Sequence, residues 1–127
     1  MSEANVALAR RLIHLLIAGD AAAAAESFHP DAELRMRLGT YTGHEGLAEW
    51  QRDVEEYLGE YEFLDSQLID AGDTVVHLAR VRAHGQSSGL EIEQDFGFVL
   101  RFDAGKVVAA ASYPSRAEAL KAAGLEG

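Results

Sequence analysis

The side chains with chemistry to offer are five histidines, a row of carboxylates, a few arginines and the amide of Gln94, and their spacing limits what they can do. His14, His29, His44, His77 and His84 are scattered, and no pair stands at the i, i+4 interval at which a helix presents two imidazoles to one zinc ion. No metal and no cofactor are expected. The chain has no cysteine, which removes thiolate nucleophiles, disulfide frameworks and sulfur-ligated zinc together. Glu91, Glu93 and Asp95 alternate along one face of an extended segment and could in principle serve as acid and base. Gln94 lies on the other face with Phe96 and Phe98, where its amide could hold a ligand carbonyl or bond water. The phenylalanines mark that face as interior, so the carboxylate row is expected to meet solvent or a partner subunit. Tyr41 and Tyr113 each carry a hydroxyl that could reach a ligand or belong to a half-buried ring.

The elements that must position these groups are legible from periodicity. Val6, Ala9, Leu12, Ile13, Leu16 and Ile17 recur at three- and four-residue intervals and predict an amphipathic helix over Asn5 to Ala18, stopped by Gly19. Asp20 can cap a short second helix from Ala21 to Phe28, which ends before Pro30. The alternation from Glu33 to Leu38 predicts a strand with Leu34, Met36 and Leu38 inward. Thr42 and Glu45 have the spacing of a capping box, so a third helix should begin beside Gly43 and bring Trp50 to the core. Extended runs follow at Tyr61 to Asp70, Thr74 to His84, Leu90 to Phe102 and Lys106 to Tyr113, parted by turn signals including the Gly85 to Gly89 loop. Ser115 and Glu118 form a second capping box for a last helix running to Gly124. Three helices, a long antiparallel meander and a short final helix make an α+β layout.

Length and charge bound the function classes. At 127 residues the expectation is one domain, 1-127, able to bury a core without staples. A net charge of −10 repels phosphate backbones, and Arg80, Arg82, Arg35 and Arg37 are too few to offset it, so no nucleic-acid partner is expected. Met1 to Asn5 lack the basic start of a signal peptide, and the run from Leu12 to Ile17 is too short to span a bilayer. A cytoplasmic protein without a membrane partner is the expectation.

A series of short phrases carries further information. Ala18-Gly19-Asp20, Phe28-His29-Pro30-Asp31-Ala32, Gly43-His44-Glu45-Gly46, Ser88-Gly89, Asp103-Ala104-Gly105-Lys106 and the closing Glu118 to Leu125 occur in that order. In this order they resemble the SnoaL-like branch of the nuclear transport factor 2-like superfamily. The resemblance implies a cone of three N-terminal helices packed on a curved antiparallel or mixed sheet, a fold shared with ketosteroid isomerase and polyketide cyclases. A fold of this breadth does not fix an activity. Ketosteroid isomerases use a catalytic aspartate and two oxyanion donors, a tyrosine and a neutral aspartic acid. Counted from the nearest shared phrase, the tyrosine falls on Leu12, the base on Met36 and the acid on Phe98. An apolar side chain can neither take the proton nor hold the enolate oxygen, so that mechanism is disfavoured.

The same resemblance turns Val76, Leu78, Arg80 and Arg82 towards the cone and His77 away from it, to a face where dimeric relatives pack. An inward Arg80 would anchor an anion or carbonyl, or be paired structurally by Glu91, Glu93 or Asp95. His44 belongs to a family phrase at a helix start near the pocket mouth, and would line it or stand in solvent. The resulting expectation is a homodimer whose hydrophobic pocket is lined by Leu12, Met36, Trp50, Phe96 and Phe98. Arg80, Gln94, His44 and Tyr41 are its candidate polar anchors, and its partner is a small hydrophobic molecule. The alternative is a cyclase-, isomerase- or epoxide-hydrolase-like enzyme working through polar groups inside the cone.

Overall fold

A computed structural model describes residues 2–84 and 91–125, so the expected Gly85 to Gly89 loop, with its Ser88-Gly89 phrase, lies outside the described residues. Helix α1 (Ser2–Ile17) buries Ala9 and Leu12 and packs Val6, Leu8, Leu15 and Leu16 against the main core. Its last carbonyls are satisfied from two sides. The N–H groups of Gly19 and Asp20 turn back onto Leu16 and Leu15, and Gln51 Nε2 donates to Leu16 O at 2.8 Å. Gly19 makes that stop with φ +80°, a conformation glycine adopts without strain.

Helix α2 (Ala21–Ala25) is capped by Asp20, which accepts from Ala23 N at 3.0 Å, and it is shorter than its alanine content predicts. The cause is tertiary. Val107 N donates to Ser27 O at 2.8 Å and Phe28 pairs with Val107, so the chain is drawn into strand β1 (Phe28–Met36) beside β6 (Lys106–Tyr113). Pro30 sits where the β1 register shifts between Phe28 and Glu33, a place where a missing N–H breaks no regular ladder. The expected strand end at Leu38 is also corrected. Arg37 and Leu38 form a tight turn into β2 (Gly39–Thr42), and Leu38 is exposed rather than inward.

Helix α3 (Gly43–Leu58) starts where the sequence places it, although Thr42 makes no side-chain cap bond. Strands β3 (Tyr61–Ala71), β4 (Thr74–His84) and β5 (Glu91–Asp103) then run antiparallel into β6. Six strands form one mixed sheet in the order β2-β1-β6-β5-β4-β3, with β1 and β6 its parallel pair. Leu34, Ala110, Leu100 and Val75 pair in a row across four strands and are all buried beneath α1 and α3.

Helix α4 (Arg116–Ala122) lies on the opposite side of the sheet. Ser115 caps it by accepting from Glu118 N at 3.2 Å, and Ala119 meets Val76 and Leu78 in a second small core. Gly97 is required there, since a Cβ at that position would collide with the Ala119 methyl group.

Candidate functional site

Between the concave face of the sheet and α3 lies a cavity of about 460 Å³. Met36, Trp50, Val54, Leu58, Tyr61, Phe63, Val81, Phe96 and Phe98 supply most of its wall, and Arg37, Asp95, Ser112, Tyr113 and Pro114 complete it. Gln94, half-buried, places its residue in the same wall. Alternation along β5 brings Gln94, Phe96 and Phe98 to one face, and the cross-strand register adds Val81, Ala79 and His77 opposite them on β4. Phe96 and Phe98 meet edge-to-face with ring centroids 4.7 Å apart, and Phe98 meets Trp50 edge-on at 6.1 Å.

A smaller chamber of about 50 Å³ continues inward. It shares Met36, Trp50, Tyr61, Phe63 and Phe98 with the larger cavity and adds Leu12, Leu47 and His77 among others. Leu12, Met36 and Phe98, the three positions matched to the isomerase machinery, therefore surround one chamber and present only apolar surface to it.

The remaining expected site residues are placed elsewhere. Arg80 is opposite Asp95, on the outer face, and not in the cone. Its guanidinium bonds Glu93 at 3.1 Å and Asp95 at 3.3 Å, while Arg82 reaches Glu62, Glu93 and Glu91 at 3.4, 3.5 and 3.8 Å. The reason is register. Residues directly opposite on antiparallel strands share a face, so once Phe96 and Phe98 point inward, the odd-numbered residues of β4 must join them. Tyr41 is buried, but its hydroxyl donates to Asp53 Oδ2 at 2.6 Å, away from the cavity wall. Burial, then that carboxylate, push its pKa up to about 12. His44 is exposed and its Nε2 lies 2.7 Å from Phe28 O, tying the start of α3 to β1.

His77 is the correction with chemical weight. Expected on the outer face, it is fully buried on the inner one, against Phe63, Phe96 and Phe98 at ring distances of 5.2, 5.5 and 6.1 Å. Its Nε2 lies 2.6 Å from Ser66 Oγ, and its Nδ1 is buried without a partner. Desolvation lowers its pKa to about 4, so the imidazole is neutral near pH 7. The bulge that brings Ser66 to it was not legible. Asp65 and Ser66 both stand opposite Ala79, between the pairs Leu64–Arg80 and Gln67–Leu78, and Asp65 adopts φ +54°. Val75, Val76, Leu78 and Ala79 put apolar residues on both faces around His77, so periodicity does not reveal which face of β4 turns inward. The signal that could have found it is charge: Arg80 and Arg82 match Asp95 and Glu93 at the same two-residue spacing.

The expectation from the sequence that no nucleophile elbow is present, and so none to support serine-histidine-aspartate catalysis, needs a correction. Gly85-Gln86-Ser87-Ser88-Gly89 spells the Gly-x-Ser-x-Gly of a nucleophile elbow. It lies outside the described residues, and it joins two antiparallel strands rather than the strand and helix such an elbow connects. Among the described residues no cluster of three or more histidine or carboxylate side chains is placed to hold a metal ion, and no helix is long and apolar enough to cross a membrane.

The geometry agrees with known structures. An NTF2-like protein of unknown function from Burkholderia pseudomallei superposes with a TM-score of 0.80 at 22% identity, over 95% of this chain and 97% of its own. A putative SnoaL-like polyketide cyclase from Jannaschia sp. gives 0.80 at 16% identity, over 89% and 86%. TerC, co-crystallised with polyporic acid, gives 0.68 at 23% identity, over 83% and 89%. No curated protein matches the chain in sequence. Residues 9–110 match the SnoaL-like domain, and with the six-stranded cone around its apolar cavity the chain belongs to the SnoaL-like family of the NTF2-like, ketosteroid isomerase-like fold.

Proposed function

We propose that the chain binds a small, largely hydrophobic molecule inside the cone. The observation that carries this reading is the 460 Å³ cavity itself, of a size suited to small organic ligands and walled by Met36, Trp50, Tyr61, Phe63, Phe96 and Phe98. Gln94 supplies an amide that can orient the ligand. TerC, of like fold, was co-crystallised with polyporic acid, an organic molecule, which supports the same use here. The reading retains one domain spanning 1-127, a cytoplasmic setting and a homodimer formed across the outer sheet face.

Trp50 is the chain's one tryptophan and lines the cavity, so its fluorescence reports occupancy directly. Titration with an apolar aromatic panel is expected to give saturable quenching that Phe98→Asp removes in a folded variant. Linear, non-saturating changes across the whole panel would sink the reading.

A second reading, an enzyme of cyclase, isomerase or epoxide-hydrolase type, is favoured by one observation: His77, an ionisable group, forms part of the inner chamber. The putative polyketide cyclase of like fold supports it further.

A further inference from the structure

A histidine that only filled space between Phe63, Phe96 and Phe98 would be better replaced by a hydrocarbon, because burying a polar nitrogen without a partner is unfavourable. His77 retains both nitrogens, and the two meet different surroundings. Nε2 faces Ser66 Oγ at 2.6 Å. Ser66 is itself exposed and lines a separate groove of about 420 Å³ with Arg10, Ile13 and His14 of α1. Nδ1 is buried and unpartnered, on a ring that forms part of the inner chamber wall.

The tautomer follows from these surroundings. A neutral imidazole carries one N–H, and an orphaned buried N–H is rarer in proteins than an under-satisfied acceptor. The proton therefore belongs on Nε2, donated to Ser66 Oγ, and the lone pair on Nδ1. The bulge at Asp65 and Ser66 gains a purpose in this arrangement, since it lets Phe63 and Ser66, three residues apart, both turn to the inner face beside the ring, which an unbroken ladder would not allow.

We propose that His77 Nδ1 is the inner polar anchor of the cone, accepting a hydrogen bond from a ring hydroxyl of an otherwise apolar ligand, with Ser66 as the positioning residue that fixes the accepting tautomer. The proposal rests on the reading that the cone holds such a ligand. It assigns the buried end a chemical preference: a phenolic hydroxyl is favoured there over a carbonyl or a bare hydrocarbon, because the carbonyl would face a lone pair and the hydrocarbon would leave it unpaired. The chamber's 50 Å³ is room enough for a group the size of a water molecule, and so for a hydroxyl.

A matched pair of probes tests this. 4-Phenylphenol and biphenyl differ by one hydroxyl, and their affinities are read from Trp50 fluorescence in the parent chain, His77→Phe and Ser66→Ala. The preference for 4-phenylphenol over biphenyl is expected to fall about tenfold in His77→Phe, the size of one neutral hydrogen bond, and by a smaller factor in Ser66→Ala. In the unsubstituted protein, nitrogen NMR should show His77 as the Nε2–H tautomer and its Nδ1 resonance should shift with 4-phenylphenol and not with biphenyl. An unchanged preference in folded His77→Phe, or an Nδ1 resonance unmoved at saturating 4-phenylphenol, overturns the proposal while leaving the cavity reading intact. Failure of both probes to bind at all overturns the two together.

Discussion

Strands β4 and β5 present two faces built from the same ladder and put to different uses. Inward, Val81, Ala79 and His77 stand opposite Gln94, Phe96 and Phe98, and the one ionisable group, His77, has no charged partner. Outward, Arg80 and Arg82 stand opposite Asp95 and Glu93, in a half-open lattice of ion pairs reached by solvent. Water decides which face matters energetically. Exposed ion pairs gain little because solvent screens them and their long side chains lose freedom on pairing. A single buried imidazole answers to desolvation alone, which lowers its pKa to about 4. The outer charges therefore leave little trace on stability when one pair is removed, whereas the state of the inner ring is set by its burial.

The comparison is not simply inside against outside, because α4 covers part of the outer face. Leu78 shares a face with Arg80 yet is fully buried against Ala119. Leu78→Ala should therefore behave as a core truncation and cost 2–5 kcal/mol, roughly the range for a buried leucine, seen as a lower midpoint in urea or heat. A near-neutral result would show that α4 is not docked as described, and the outer face would then be uniformly solvated.

The inner face should announce itself in the pH dependence of stability. His77 has a folded pKa of about 4 against an ordinary 6.5, so between those values the unfolded chain binds more protons than the folded one. A depressed histidine adds nothing above pH 6.5. As pH falls from 6.5 towards 4 the folded state loses up to about 3 kcal/mol from this one group. Of the residues lining the inner chamber only Tyr61 also titrates, and burial, with Glu55 behind it, raises its pKa further from this window. Urea titrations at pH 7 and pH 4.5 should give parent and His77→Phe curves that separate on acidification. Parallel curves would place His77 in water.

These two faces also show how far the sequence could be read. Strand β5 was legible because hydrophobicity alternates cleanly through Gln94, Phe96 and Phe98 against Glu93 and Asp95, and α3 because Trp50 and Leu47 follow a helical interval. The cavity wall drawn from those elements, with Met36, is found in one place. Strand β4 was not legible. It is apolar on both sides for separate reasons, the cone inside and α4 outside, and neither cover is visible in a period-two pattern. The faces of His77 and Arg80 therefore rested on the family resemblance alone, and the cross-strand register reverses them. Strand β2 and the early start of β1 depend on partners distant in sequence, Val107 above all, and local propensity favoured a longer second helix.

The smallest expected effect is the sharpest test of that exchange. Among the described residues Arg80 bonds Glu93 and Asp95, on a solvated surface, so Arg80→Ala should leave the urea midpoint and the affinity for 4-phenylphenol unchanged within error. Salt should be equally without consequence, because an exposed pair is already screened at moderate ionic strength. Had Arg80 pointed into the cone, its removal would have taken away the principal cation of the cavity and altered ligand affinity strongly. A weakened complex in Arg80→Ala at constant stability would thus return the arginine to the interior and displace His77 from it. The two residues cannot both face the ligand on one alternating strand, so one titration of each variant decides which side of β4 reads the cavity.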